Sequence, residues 1–199
     1  LPQVVRRQRQ MCIRDSDKVS PVSFSNLTSD EIKMRYSAED VPMILSSEPG
    51  VWAYSESGNG TGYSYVTIRG FDQSRIAVFF DGVPLNDNES HQVYWVDHGD
   101  LLSDVDNIQI QRGIGNNLYG SSAFGGSINV NTKIASDERE ISGTIGSGDW
   151  NTQKIRASYR SGSDLGDDLS LAMRHSDIKS DGYRQFHDSC LLYTSPSPR

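Results

Sequence analysis

Cysteine is nearly absent from these 199 residues: Cys12 and Cys190 stand close to the two ends, so nothing indicates an internal disulfide. No run of 18 apolar residues occurs, which excludes a transmembrane helix. Basic charge is also in short supply, with 19 Lys and Arg against 26 Asp and Glu and a net charge of −7. The dense basic run Arg6–Arg9 falls in a stretch of unusual character. Arg6–Ser16, RRQRQMCIRDS, and Cys190–Arg199, CLLYTSPSPR, read like translated sequencing-library adapter. The second back-translates into a transposon mosaic end running into its adapter. Residues 1–16 and 190–199 are therefore set aside as adapter-like, and are expected to pack poorly and to pair with no strand. Without them 14 basic and 25 acidic residues remain, a charge of −11, and no cysteine at all. Such a balance excludes a nucleic-acid partner, whose phosphates need a basic face. Paired catalytic carboxylates, a Ser/His/Asp arrangement and a cysteine nucleophile are likewise missing from the remaining chain, which reads as a non-enzyme.

What is present centres on Ile76–Lys133. Three short apolar stretches, Ile76–Phe80, Ile108–Gln111 and Ile128–Val130, predict strands separated by long Gly-, Asn- and Asp-rich loops. Asp81-Gly82 predicts a tight turn directly after the first of them. Gly113–Gly126 carries five glycines in fourteen residues, with Asn116 and Asn117 among them, and can bring backbone close to backbone. The three strands are expected to share one sheet with Tyr65–Arg69, since a lone hairpin is marginal in water.

Upstream, Val19–Leu27 reads as an edge strand because of Pro21. Ser37 and Asp40 resemble a capping box ahead of Val41, Met43, Ile44 and Leu45, predicting a helix of about ten residues that ends at Pro49-Gly50. Val51–Tyr54 and Tyr65–Arg69 predict strands around the loop Ser55–Ser64, SESGNGTGYS. Its glycines lack the Lys-Ser/Thr and the following helix of a phosphate loop, so it reads as a mobile loop instead. Asn26-Leu27-Thr28 and Asn59-Gly60-Thr61 are sequons in form only. The sixteen-residue loop Leu85–Asp100 is of a length that is usually functional or disordered. Its His91, Asp97 and His98 are weak metal candidates. Leu101, Leu102 and Val105 mark a second short helix, with Asp100 as its N-cap.

Beyond Lys133 the pattern becomes strict alternation. Gln153, Ile155, Ala157 and Tyr159 alternate with Lys154, Arg156, Ser158 and Arg160. Leu169, Leu171 and Met173 alternate with Ser170, Ala172 and Arg174, and Ile141, Gly143 and Ile145 repeat it more weakly. One apolar and one charged face fits transmembrane β-barrel strands. Taken alone, it fits a half-buried soluble sheet equally well.

Five motifs in order decide between these readings. Pro49-Gly50-Val51, Ile68-Arg69-Gly70-Phe71, Val78-Phe79-Phe80-Asp81-Gly82-Val83-Pro84, Ile108-Gln109-Ile110-Gln111-Arg112-Gly113, and Leu118-Tyr119-Gly120-Ser121 with Ala123-Phe124-Gly125-Gly126-Ser127-Ile128-Asn129-Val130 resemble the plug domain of TonB-dependent outer-membrane receptors. The resemblance implies an α+β plug at 17–134, a small mixed sheet with two short helices. Residues 135–189 would then be the first two or three strands of an antiparallel transmembrane barrel, incomplete at its C-terminus. It implies a Gram-negative outer-membrane location, in contact with outer-membrane lipid. It further implies energised uptake of a scarce large solute of the ferric siderophore, cobalamin, haem or glycan class. The TonB partner complex would act through an N-terminal segment upstream of Val19. A non-transporting β-rich surface protein that binds a ligand is the alternative. The implied ligand face comprises the loops Ser55–Ser64, Leu85–Asp97 and Gly115–Gly120. Tyr63, Tyr94, Trp95 and Tyr119 offer rigid amphipathic contact there, with Tyr119 the strongest candidate. Tyr119 and Trp95 could instead pack the plug against a barrel wall. Asp87, Glu89 and Asp97 favour a neutral or cationic extracellular ligand, or one bound through Ca²⁺.

Overall fold

In the computed structural model, residues 23–36, 38–113, 123–133, 139–162 and 171–182 are described, together with the strand course of Ser189–Pro198. The first seven strands are β1 (Phe24–Thr28), β2 (Val51–Ser55), β3 (Ser64–Ile68), β4 (Ile76–Phe80), β5 (Val83–Pro84), β6 (Val105–Arg112) and β7 (Gly126–Thr132). Five of them form one mixed sheet in the order β1-β6-β7-β4-β5, in which β4 and β7 run parallel. Apolar residues line up across it. Leu27 pairs with Ile108, Ile108 with Val130, and Val130 with Phe80. A second row runs from Ile110 through Ile128 to Val78. Such cross-strand rows are what stabilises a sheet, and Ile108, Ile110, Ile128, Val130 and Val78 are all fully buried.

The three strands expected in one sheet are there, but Tyr65–Arg69 is not. Its residues 65–68 belong to β3, which pairs only with β2, from Val51↔Ile68 to Ser55↔Ser64. The reason is that β4 has no free edge: β7 takes one side, and the Asp81-Gly82 turn folds β5 onto the other. Both turn residues have left-handed backbone, φ 48° and 83°, as the two-residue hairpin requires. Gly126 is forced by a different contact. A Cβ there would lie 2.2 Å from the Gln111 carbonyl oxygen, so only glycine lets β6 and β7 meet at this register.

Helix α1, Ser29–Arg35, has no counterpart among the sequence expectations. Thr28 and Glu31 form its reciprocal cap: the Thr28 amide donates to Glu31 Oε2 (2.8 Å) and the Glu31 amide to Thr28 Oγ1 (3.4 Å). Helix α2 is shorter than expected, Val41–Leu45, with Pro42 in its first turn. Asp40 is its N-cap residue but makes no side-chain cap, because its carboxylate serves Ser64 instead. Ser37, the other half of the expected capping box, lies outside the described residues. The expected edge strand is seen as β1, beside β6, and its portion before residue 23 is also outside them. Leu101–Asp104 is a 3₁₀ turn rather than an α-helix, and Asp100 precedes it in the left-handed region.

A separate antiparallel sheet follows, made of β8 (Glu140–Gly148), β9 (Thr152–Arg160), β10 (Leu171–Ser180) and β11 (Ser189–Pro198). Its burial inverts that of a soluble amphipathic sheet. The polar side, with Lys154, Ser158, Ser176 and Ser180, is buried against the N-terminal unit. The apolar side is exposed: Ile145 is 85% accessible and Ile141 71%. Along β10 that outer side also carries His175, Asp177 and Lys179, paired with Ala157, Ile155 and Gln153, and one apolar residue of β10, Ile178, is buried on the inner side.

The C-terminal segment overturns the expectation that it pairs with nothing, since β11 pairs with β10 along ten residues, Leu171↔Pro198 to Ser180↔Ser189. The physical reason is that β10 presents an open row of N–H and C=O groups, and backbone pairing accepts most extended sequences. Two prolines, Pro196 and Pro198, are tolerated because β11 is the edge. Residues 1–16 lie outside the described residues.

Candidate functional site: the outward loops and the charged junction

Two regions gather the candidate side chains. The first is the pair of long loops at the tips of β2–β3 and after β5. Loop 56–63 is laced by its own polar groups. Asn59 Oδ1 accepts from the Thr61 amide (3.2 Å) and hydroxyl (3.0 Å), and the Glu56 amide donates to the Tyr63 carbonyl (2.9 Å). The Asp40 amide reaches the Gly60 carbonyl (2.8 Å), and Ser64 Oγ donates to Asp40 Oδ2 (2.7 Å). What reads as a mobile glycine loop is thus tied to the N-terminus of α2. Burial pushes the Asp40 carboxyl up to about 7; hydrogen bonds from Ser64 and Gly62 oppose this, and the nearby charge of Glu39 adds to it.

Loop 85–100 is ordered by a side chain that imitates a strand. Beyond two-residue β5, Asn86 accepts from the Val78 amide (2.8 Å) and donates to the Ile76 (3.0 Å) and His91 (2.9 Å) carbonyls. Asp87 Oδ2 accepts from the Glu89 amide (3.0 Å), the Ser90 amide (2.7 Å) and the Ser90 hydroxyl (2.9 Å). The bonds from Ser90 hold its carboxyl below the usual carboxylate range. Among the described residues no three metal-ligating side chains of His, Cys, Asp or Glu come together, including Asp87, Glu89 and Asp97. His98 is half-buried, and burial lowers its basicity against the opposing pull of Asp97.

The four aromatic candidates separate. Tyr63 and Tyr94 are exposed at the two loops, and the Tyr94 hydroxyl donates to Ser90 Oγ (3.2 Å). Trp95 is 2% accessible and sits in the core cluster with Val93, Leu101 and Leu102, so it packs the unit and offers no surface. Tyr119, with Gly115–Gly120, lies outside the described residues. Sequence reasoning passed over another exposed aromatic face, on β2 and β3. Trp52 and Tyr54 have ring centroids 5.0 Å apart, and Tyr54 stacks on Tyr65 at 5.0 Å. Period-two spacing of Trp52 and Tyr54 was its readable signal.

The second region joins the N-terminal unit to the β8–β10 face. Asp104 accepts from three guanidinium groups: Arg156, Arg160 (2.9 Å) and Arg174 (3.1 Å). Arg160 also reaches Glu140 (2.9 Å). One turn earlier, Asp100 pairs with Lys154 (2.6 Å) and accepts from the Tyr36 hydroxyl, while the Lys154 ammonium lies 3.9 Å from the Tyr36 ring centre. Burial pushes the Asp100 carboxyl up. The Lys154 charge and hydrogen bonds from Lys154 and Ser103 outweigh it and leave the carboxyl below its ordinary value. Burial, together with the Asp100 charge, drives the Tyr36 hydroxyl well above its ordinary range. Asp100 holds the expected N-cap position but makes no side-chain cap, and its carboxylate serves the junction instead.

Together these elements make a small mixed sheet with exposed aromatic loops, docked on the charged face of an antiparallel sheet. Residues 16–127 match the family model described as TonB-dependent Receptor Plug Domain, and the chain belongs to that family of Gram-negative outer-membrane receptors. It is similar to the ferrienterobactin receptor of Escherichia coli (strain K12), 31% identical over 57% of this chain and 17% of the relative. It is also similar to the vitamin B12 transporter BtuB of Vibrio vulnificus (strain YJ016), 32% identical over 71% of this chain and 22% of the relative. The chain therefore spans about a fifth of the length of these relatives. The crystal structure of the siderophore receptor PiuA from Acinetobacter baumannii shares the fold, with a TM-score of 0.65 at 19% identity, over 89% of this chain and 24% of that one.

Proposed function

We propose that the chain is the plug and opening barrel strands of a receptor for TonB-energised uptake of a scarce large solute, of the ferric siderophore or cobalamin class. The observation that carries the barrel reading is the inverted sheet: Lys154, Arg156, Arg160 and Arg174 turn onto the plug, while Ile141, Ile145 and Ile155 face outward. An outward apolar row left uncovered among the described residues is what lipid solvates. Names of the relatives, which bind ferric enterobactin or vitamin B12, support the solute class. The N-terminal partner is the TonB complex and the second partner an extracellular chelate or similar ligand. Binding rather than catalysis is the proposed activity.

Tyr63 and Tyr94, with Tyr119, are the proposed ligand-contacting residues. The test is uptake of radiolabelled ferric enterobactin and of cyanocobalamin by cells whose only such receptor is the full-length protein, with and without TonB. Uptake of either that requires TonB supports the reading, and loss of affinity in Tyr63→Ala and Tyr94→Ala locates the site. Surface binding of solute without uptake would favour the non-transporting surface protein. We further propose that residues 1–16 and 190–199 are adapter-derived. Recovery of the same codons from genomic DNA without adapters would refute that origin.

A further inference from the structure

A cavity of about 430 Å³ lies between the plug and the β8–β9 hairpin, walled by Tyr36, Glu39, Asn59, Thr61, Asp149 and Trp150 among others. Its volume falls in the range of small-molecule sites, roughly 300–1,000 Å³. Glu39 is the informative wall. It is half-buried, and burial raises its carboxyl, with no donor or cation set against it among the described residues. The loop backbone passes close to it: a Cβ on Gly60, whose φ is +81°, would lie 2.9 Å from Glu39 Cγ. Across the cavity Trp150 sits in the left-handed region, φ 52°, an expensive conformation for a bulky residue. It is held there by the Asp181 amide, which donates to its carbonyl (2.9 Å).

The charge of the lining is one-sided. Lys154, the cation on this wall, is already engaged by Asp100 at 2.6 Å, which leaves the carboxylates of Glu39 and Asp149 uncompensated by it. A half-buried carboxylate facing a tryptophan across a cavity suits a positive group with an apolar body. A metal ion is disfavoured, because among the described residues no three ligating side chains gather.

We propose that this cavity binds an organic cation, an ammonium group on a flat apolar body, with the charge on Glu39 and the flat face against Trp150. The site deepens the receptor reading by adding a ligand class to it. It rests on that reading only for its biological setting, and its failure would leave the uptake test above unaffected.

The experiment is calorimetric titration of the purified full-length receptor with benzylamine and with its neutral counterpart benzyl alcohol. Benzylamine is expected to bind at least tenfold more tightly than the alcohol. Glu39→Gln should weaken benzylamine by about tenfold or more and leave benzyl alcohol unchanged, with the melting temperature kept or raised. Trp150→Ala should weaken both. No detectable benzylamine binding, equal binding of amine and alcohol, or benzylamine binding that survives Glu39→Gln would each overturn the proposal.

Discussion

Replacing Asp104 by Asn should loosen the plug from the strands that grip it. Asp104 accepts from Arg156, Arg160 and Arg174, and its own side chain is 18% accessible while the three arginines are 10–12% accessible. Water therefore screens these contacts weakly. Hydrogen bonds to charged groups are worth about 1.5–3 kcal/mol each but do not add within one network. Removing one side of a buried pair costs roughly 3–5 kcal/mol, chiefly because the partner charges are left uncompensated. Here three guanidinium groups share the loss, and Glu140 can absorb only the one it already meets, that of Arg160. Asp104→Asn should thus destabilise the junction by about 3–5 kcal/mol, with little dependence on salt. Urea unfolding of the purified full-length receptor, followed by protease sensitivity of the plug, measures it. The exposed pair Lys33–Asp30, which is expected to be silent when removed, is the control. A loss below about 1 kcal/mol would mean the network is solvated and does not clamp the plug.

Two further perturbations probe the plug itself. The folded Asp40 carboxyl titrates at about 7 rather than 3.8, so the folded plug keeps a proton that the unfolded chain has released. Stability from this group is complete below pH about 4 and is lost as pH rises through 7, a loss on the order of 4 kcal/mol at most. Asp40→Asn should therefore melt higher than the parent above pH 7 and converge with it by pH 4; a difference that stays constant across that range would refute the assignment. Gly126→Ala should destabilise by about 3 kcal/mol or more in denaturant unfolding, since its Cβ would meet the Gln111 carbonyl at 2.2 Å and its φ is +149°. An unchanged midpoint would show that β6 and β7 can shift apart.

How much of this was legible depended on whether the cause was local. The Asp81-Gly82 turn, the three apolar strands and the close approach at Gly125-Gly126 are local chemistry, and reading them along the chain was enough. The Thr28–Glu31 cap of α1 was equally local and was passed over, although Thr28-Ser29-Asp30-Glu31 spells its pattern. The exclusion of β3 from the main sheet was not legible, because it depends on which edges β5 and β7 already occupy. Nor was the burial of Trp95, since a tryptophan in a polar loop reads as surface until Val93 and Leu101 close around it. The charged face of β9 was visible as alternation, but not its target. Lys154 and Asp100 are far apart in sequence, and only the docking of the sheet shows that the pair is buried.

The barrel proposal stands or falls on whether the Ile145 and Ile155 side of the β8–β10 sheet meets lipid. Single cysteines carrying nitroxide labels at Ile145 and Ile155, and at Ser142 and Ser158, should be placed in the full-length receptor in outer-membrane vesicles. Collision with dissolved oxygen and with a water-soluble nickel chelate then reads lipid against water. The account predicts high oxygen and low nickel accessibility at Ile145 and Ile155, and low accessibility to both at Ser142 and Ser158. Nickel access at Ile145 and Ile155 equal to that of a soluble surface site would contradict it.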